Sequence, residues 1–235
     1  HHIRSFDSLI SVIFMPVLIM LMFVYVLGGA MKPGDTDYVN YVVPGVVLFT
    51  VLSSVSYTAF RINNDISGGV SDRFYSMPIS KSAILGGHVV ASVVFSAVSV
   101  LAVLLVAFLV GFRPAAGLPA WLGAVALMLL FSLALTWVSV LCGLLAGSAE
   151  GSYAFSYPVM GLLFLSSAFA PVDTMPGVVR AFAQHQPVTP LIEAMRALLM
   201  NQPLGNSAWA AAAWCIGLWI VFYALSMLAY KRKRG

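Results

Sequence analysis

The chain has 235 residues, of which 61% are hydrophobic and 9% charged, with a formal net charge of +4 and a mean hydropathy of +0.97. Soluble domains carry far more charge, so the class is an integral membrane protein whose apolar runs can cross a hydrocarbon core of about 30 Å as helices. Those runs take up more than half the chain and leave no room for a soluble catalytic domain, and a β-barrel would show short alternating segments instead.

Six apolar runs read as spans, at residues 9–30, 41–60, 89–110, 121–146, 153–170 and 209–230. The expected fold is an all-α membrane protein with six transmembrane helices in a single transmembrane domain. The first run is too long for a signal-peptide core and no small-residue cleavage site follows it, so it is read as retained. It carries Pro16 and ends in Gly28 and Gly29, while His1 and His2 read as a tag remnant. The second run places Phe49, Ser53, Tyr57 and Phe60 on one face at helical spacing. Its serines also suit ordinary helix–helix packing.

Between the second and third runs lies RINNDISGGVSDRFYSMPISKSAIL, residues 61–85. Ile66, Val70, Phe74 and Met77 recur at spacings that make one stripe of a short amphipathic helix ended by Pro78. The same stretch also reads as a solvated loop with incidental periodicity. Gly68 and Gly69 each weaken a helix by about 1 kcal/mol, so a helix here would hold its shape best when docked. Ser80 is a candidate N-cap for the third helix, and His88 near its start reads as an interfacial or packing residue.

The third and fourth runs are joined by the compact turn FRPAAGLP, and the fourth and fifth by GSAEGS, whose only charge is Glu150. Past the fifth run, Pro176 announces a short helix over 177–183. Thr189 as N-cap and Pro190 at the first helical position announce a second, LIEAMRALLM. In that helix Leu191, Ile192, Met195, Leu198 and Leu199 form the apolar stripe, and Glu193 and Arg196 are read as lying off it. Ten residues cannot span, so the pair reads as a short external re-entrant hairpin held at the outer leaflet, or else as a plain external amphipathic loop.

Six spans place Arg4, Arg61, Arg73, Lys81 and the closing Lys231, Arg232, Lys233 and Arg234 on one side, against Lys32, Arg113, Arg180 and Arg196 on the other. Both termini are therefore expected in the cytoplasm. The basic surplus calls for no nucleic acid, because a terminal KRKR is what anionic lipid attracts. Cys142 and Cys215 fall inside apolar runs without metal-ligand spacing and read as packing residues. No run carries a charge at its middle, which argues against ion-coupled transport. No phosphate-binding GxxxxGK[ST] loop, HExxH, CxxC or assembled Ser, His and Asp set is present, so the chain is expected to be no enzyme.

The segment DRFYSMPISKSAILGGHVVAS (72–92) and the segment SSAFAPVDTMPGVVRAFAQHQPVTPLIEAMRALL (166–199), with LGGAM (27–31), VPG (43–45) and GFRPAAG (111–117), resemble permease subunits of the type-2 ABC exporter family. Within it they look most like bacterial drug-resistance permeases of the daunorubicin and doxorubicin efflux type. Only HHIRSFDS stands where such permeases carry a longer amphipathic lead-in. The resemblance implies a homodimer in the bacterial cytoplasmic (inner) membrane that binds two copies of a separate ABC ATPase. ATP and Mg would sit on that partner, and this chain would bind no cofactor. A cytoplasmic coupling helix within 61–78 would contact the ATPase through Asp65, Asp72, Arg73, Phe74 and Tyr75. The second and fifth spans would line the translocation path with Phe49, Ser53, Tyr57, Phe60, Tyr157, Met160 and Phe164. The hairpin would close it externally at Phe169, Pro171, Pro176, Pro187 and Pro190. The implied cargo is an amphipathic small molecule such as a drug or antibiotic, or a lipid. The rival readings are export of a cell-envelope polymer or glycolipid, and a non-transporting scaffold or sensor.

Overall fold

A computed structural model describes residues 2–28, 37–67 and 81–232. Its long helices are α1 (His2–Met22), continued by a π-turn (Phe23–Leu27), α2 (Tyr38–Ser67), α3 (Lys81–Val110) and α4 (Leu118–Leu145). Shorter pieces follow: α5 (Ala149–Ser152), α6 (Ser156–Phe164), a 3-10 turn (Val172–Thr174), α7 (Gly177–His185) and α8 (Val188–Leu199). The long helix α9 (Ser207–Arg232) closes the fold. Among the described residues, four helices are long and apolar enough to cross a membrane: Tyr38–Asp65, Gly86–Val110, Leu118–Leu145 and Ser207–Tyr230. In the first helix the apolar stretch is shorter, Val12–Val26.

Helix α2 is the hub, packing against α1, α3, α4, α5, α6 and α8. Within its apolar window 83% of residues are buried, against 28% in α3 and 17% in α9. The sequence explains the order. Lipid tails are as apolar as leucine, so burial in a membrane protein selects hydroxyl and small side chains that bond and pack closely. Helix α2 carries them. Ser54 and Ser96 share a hydrogen bond of 2.6 Å, and Thr58 donates to Ser92 at 2.8 Å. Ser92 in turn lies 3.2 Å from the Thr136 hydroxyl, which ties α2, α3 and α4 together. Ser139 of α4 donates to the Val55 carbonyl at 3.1 Å, and Ser226 of α9 to the Trp137 carbonyl at 3.2 Å.

Asn63 serves the end of α4, where the last carbonyls have no intrahelical donor. Its amide donates to Gly143 O at 3.2 Å and Ala146 O at 3.0 Å. Replacing Asn63 by leucine is expected to cost about 1–3 kcal/mol through these two carbonyls. Thermal unfolding in detergent should register it, whereas an unchanged midpoint would mean that water already satisfies them.

Three expectations are revised. The second helix does not end at Phe60: RINNDIS continues it to Ser67, since nothing before Gly68 breaks it. Asp65 therefore belongs to the last turns of α2. Asp72, Arg73, Phe74 and Tyr75, the rest of the expected coupling helix, and Ser80 lie outside the described residues.

The fifth run, 153–170, is not one helix. Its helical core is the nine residues of α6, about 13 Å long, which is less than half the bilayer core. Two local features favour the break without requiring it. Pro158 stands in the first turn of α6 and has no N–H to bond the Ala154 carbonyl, so the helix restarts after a turn. At the other end Ser166 donates its hydroxyl back to Leu163 O and accepts from Ala168 N at 3.2 Å, which favours a turn over further helix.

Even so, the segment runs antiparallel to the whole of α2. Tyr153 meets Phe60 with ring centroids 6.5 Å apart, Phe164 meets Phe49 at 6.4 Å, and the Tyr38 hydroxyl donates to Phe169 O at 2.8 Å.

The last revision concerns α8. It begins at Val188 after Pro187, without a side-chain cap, so Thr189 lies inside the first turn. There its hydroxyl accepts from Gln186 Nε2 at 3.2 Å.

Candidate functional site

At one end of the bundle the chain pauses repeatedly. Gly111 ends α3 at φ 114, a left-handed conformation that lets Phe112 N bond Ala107 O at 2.9 Å. Phe112 is thereby driven fully into the core. Arg113 N then donates to Asn40 Oδ1 at 2.9 Å, which joins this turn to the start of α2. Asn201, at φ 52, ends α8 in the same way.

Gly45 allows the closest approach. A Cβ built there would lie 2.8 Å from Ala168 Cβ and 3.1 Å from Ala168 O, so only glycine lets the 165–169 turn lie against α2.

Arg196 sits at the centre of this end. Its guanidinium carbon lies 3.7 Å from the centroid of the Tyr41 ring. Nε and Nη2 donate to Tyr41 O at 3.3 and 3.2 Å, and Nη2 donates to Ser167 O at 2.6 Å. One side chain thus staples α8 to α2 and to the turn after α6. Pro44, inside the helix, has no N–H for the carbonyl four residues before it, that of Asn40, so α2 is weakened at the turn on which Arg196 docks. Burial draws the Arg196 guanidinium below its ordinary pKa, opposed by Tyr41 and Glu193. Burial likewise raises Glu193, opposed by Arg196.

A second tie comes from Gln186, whose amide donates to Leu162 O at 2.8 Å at the end of α6. The Arg180–Asp173 ion pair is exposed and serves only the surface.

Arg196 was expected off the apolar stripe of its helix. It lies four residues after Ile192 and three before Leu199, both buried, so its spacing puts it on the stripe face. The residue type hid what the period disclosed.

From this end an aromatic chain descends. Phe23 of the π-turn stacks on Phe169 at 4.5 Å, Phe169 on Phe164 at 5.0 Å, and Phe164 meets Phe49 edge-on at 6.4 Å. Further along α2, Tyr57 contacts Phe60 at 6.3 Å and Phe95 at 5.8 Å, and Phe60 contacts Tyr153. Ser53 lies between the two groups with its hydroxyl bonded to Phe49 O at 2.9 Å. Of the expected path residues, Phe49 and Phe164 meet, as do Tyr57 and Phe60. Met160 packs against the main core. Tyr157 stands exposed. Phe23, Phe95 and Tyr153 were missed, because their contacts depend on how α1, α3 and the fifth segment dock on α2.

Of the expected gate residues, Phe169 is buried within the ring chain. Pro171, Pro176 and Pro187 each stand at the N-cap of the element that follows. Pro190 lies in the first turn of α8.

At the opposite end Asp65 Oδ2 lies 3.7 Å from His88 Nε2. That contact joins the last turns of α2 to the first of α3, on either side of the segment 68–80. Among the residues searched, no group of His, Cys, Asp and Glu could hold a metal ion.

Comparison with known proteins places these features in context. A family model described as "ABC-2 type transporter" matches residues 2–200. A "Daunorubicin resistance ABC transporter permease protein DrrB1" of Streptomyces coeruleorubidus is 30% identical over 237 residues, covering 97% of this chain and 81% of that protein. A "Probable doxorubicin resistance ABC transporter permease protein DrrC" of Mycobacterium tuberculosis (strain CDC 1551 / Oshkosh) is 23% identical over 230 residues, covering 97% of this chain and 83% of that one.

Proposed function

The chain belongs to the ABC-2 type transporter family, and from that premise we propose that it is the permease of a bacterial exporter that moves a flat, amphipathic, drug-like molecule. A separate ABC ATPase, holding ATP and Mg, supplies the energy. Two copies of each subunit form the complex, and this chain binds no cofactor.

The observation that carries the reading is the row of ring contacts along α2 and the fifth segment, from Phe169 and Phe49, which are buried, through the exposed Phe164 to the half-buried Tyr57 and Phe60. Rings give large contact area with few directional demands, which suits fused aromatic cargo of varied substitution. The relatives named for daunorubicin and doxorubicin resistance point the same way.

In this reading the protein crosses the membrane six times, with both termini cytoplasmic. The fifth crossing is the interrupted segment 149–169, which tracks α2 from Tyr153 to Phe169. Helices α7 and α8 form the outer re-entrant hairpin, and Phe169 with the hairpin prolines closes the path. On the cytoplasmic side the segment after Ser67 carries Asp72, Arg73, Phe74 and Tyr75 to the ATPase. Asp65, beside His88, lies in the last turns of α2 just before that segment.

The test reconstitutes the permease with its co-purifying ATPase in proteoliposomes. Doxorubicin-like compounds should raise ATP hydrolysis, and the F49A/F164A double variant should cut their export several-fold while the complex stays assembled. Unchanged export would remove the aromatic face from the path. A chain that purifies without an ATPase, from membranes that preserve other complexes, would end the exporter reading.

A further inference from the structure

Between the fifth segment and α9 lies a cavity of about 160 Å³ that the aromatic row does not touch. Apolar side chains line it, and the Trp214 indole and the Cys215 thiol are the only hydrogen-bonding groups among them. Its floor is buried: Phe131, Leu135 and Val138 of α4 and Leu191 of α8 are at most 8% exposed. Its rims are not. Val159 and Leu162 on one side and Leu218 and Phe222 on the other are half-buried, and Trp214 is 46% exposed. The cavity therefore opens sideways, at a surface of α9 whose apolar window is only 17% buried within the chain.

The floor residues of α4 recur at i, i+4 and i+7, and α9 contributes Trp214, Leu218 and Phe222 at i, i+4 and i+8. Each set follows one helix face for two turns, about 10–12 Å at a rise of 1.5 Å per residue. A volume of about 160 Å³ drawn out over that length is a narrow slot parallel to the helices.

Shape, polarity and place select the guest. An apolar cavity of this size stays dry, because water finds no polar partner in its wall. A drug-sized ligand needs roughly 300 Å³ or more and a few placed polar groups, which the slot lacks. A flexible unbranched hydrocarbon needs neither, and in the membrane-spanning reading it is the solvent at the mouth of the slot. Left empty, the slot would deprive its lining of dispersion contacts on one side.

We infer that the slot is a binding site for one acyl chain of a bilayer phospholipid. The chain enters sideways between the fifth segment and α9 and lies on Leu135. There it completes the packing against Val188 and Leu191, so the seat of α8 is made in part by the membrane. The inference rests on the membrane-spanning reading but on no particular cargo.

The test reconstitutes the full chain in phosphatidylcholine vesicles that contain a trace of phosphatidylcholine with a photoactivatable diazirine within one acyl chain. After irradiation the adducts are located by peptide mass spectrometry. Lipid outside the protein can reach Ile220, which is 58% exposed, but not Leu135 or Leu191, which are 4% and 1% exposed. Labelling of all three is the expected result. L218W, which fills the slot from the α9 rim, should cut the adducts at Leu135 and Leu191 several-fold and leave those at Ile220 unchanged. V159F, which fills it from the opposite rim, should do the same and serves where L218W does not insert. Adducts confined to Ile220, or adducts at Leu135 that survive either substitution, overturn the proposal. Adducts missing from Ile220 as well would mean that another chain covers this face, which overturns it too. Labelling of Leu135 by a photoactivatable free fatty acid or aromatic drug analogue, with none from the phospholipid, would give the slot to that molecule instead. Labelling intact in a chain that exports no drug would sink the cargo reading alone.

Discussion

Arg196→Leu is expected to lower the stability of the folded chain by about 2–4 kcal/mol, the largest loss from any single side chain outside the main core. Hydrogen bonds from a charged donor contribute roughly 1.5–3 kcal/mol each, and a shielded cation–π contact about 0.5–2 kcal/mol. The guanidinium makes both kinds, to Tyr41 O, Ser167 O and the Tyr41 ring. The sum is discounted because the desolvation of the cation is recovered when it is removed. Arg196→Lys keeps the charge but not the planar fork, so it should recover less than half of the loss.

Thermal unfolding of the detergent-solubilised protein should fall by about 5–10 °C for the leucine variant. Hydrogen exchange should speed up in 165–169 and 188–199 before it does elsewhere, because those are the segments that the staple joins. A leucine variant whose 165–169 turn stays fully protected would mean that Gln186 and Tyr38 hold it without Arg196.

Gly45→Val is expected to disrupt the same end from the other side of the contact. The added Cβ alone would approach Ala168 Cβ to 2.8 Å and Ala168 O to 3.1 Å, and what it meets is the backbone of a turn that cannot rotate away. Overpacking of this kind costs about 1–3 kcal/mol and more when backbone must shift. Displacing the turn would carry Phe169 away from the Tyr38 hydroxyl and Ser167 away from Arg196, so export should fall to near background as the aromatic chain comes apart.

A double-variant cycle isolates the cause. Gly45→Ala should be destabilising despite the better helix propensity of alanine, and adding Ala168→Gly should restore most of the loss. If the second change restores nothing, the close approach at Gly45 is not what limits this position.

Much of this end was already marked in the primary structure, though not for its reasons. VPG at 43–45 contains the glycine that admits Ala168. GFRPAAG contains the left-handed glycine that ends α3 and the Arg113 amide that reaches Asn40. In both of these motifs a glycine stands where the chain turns or where another segment comes close.

Other features could not be read in advance. The fifth run has ordinary apolar composition, yet it is broken at both ends of a nine-residue helix. Pro158 and Ser166 were in plain view, but a first-turn proline or a lone serine is compatible with a continuous helix as well. What selects the break is that Tyr153, Phe164 and Phe169 must each meet a fixed level of α2. The Asp65–His88 contact joins two residues that read separately as a docking charge and an interfacial histidine, and it exists because α2 runs on past Phe60.

The amino-acid sequence by itself determined the class, the four helices long and apolar enough to cross a membrane, the two short helices α7 and α8, and the family. All of these follow from composition, from period, and from residues such as proline and glycine whose conformational limits act locally. Only the tertiary structure decided which helix is the hub, where the fifth segment breaks, and that Arg196 faces inward. Those outcomes depend on which donors find acceptors once helices pack, and in a lipid-facing fold apolar pattern alone cannot tell the buried side of a helix from the side that meets the membrane.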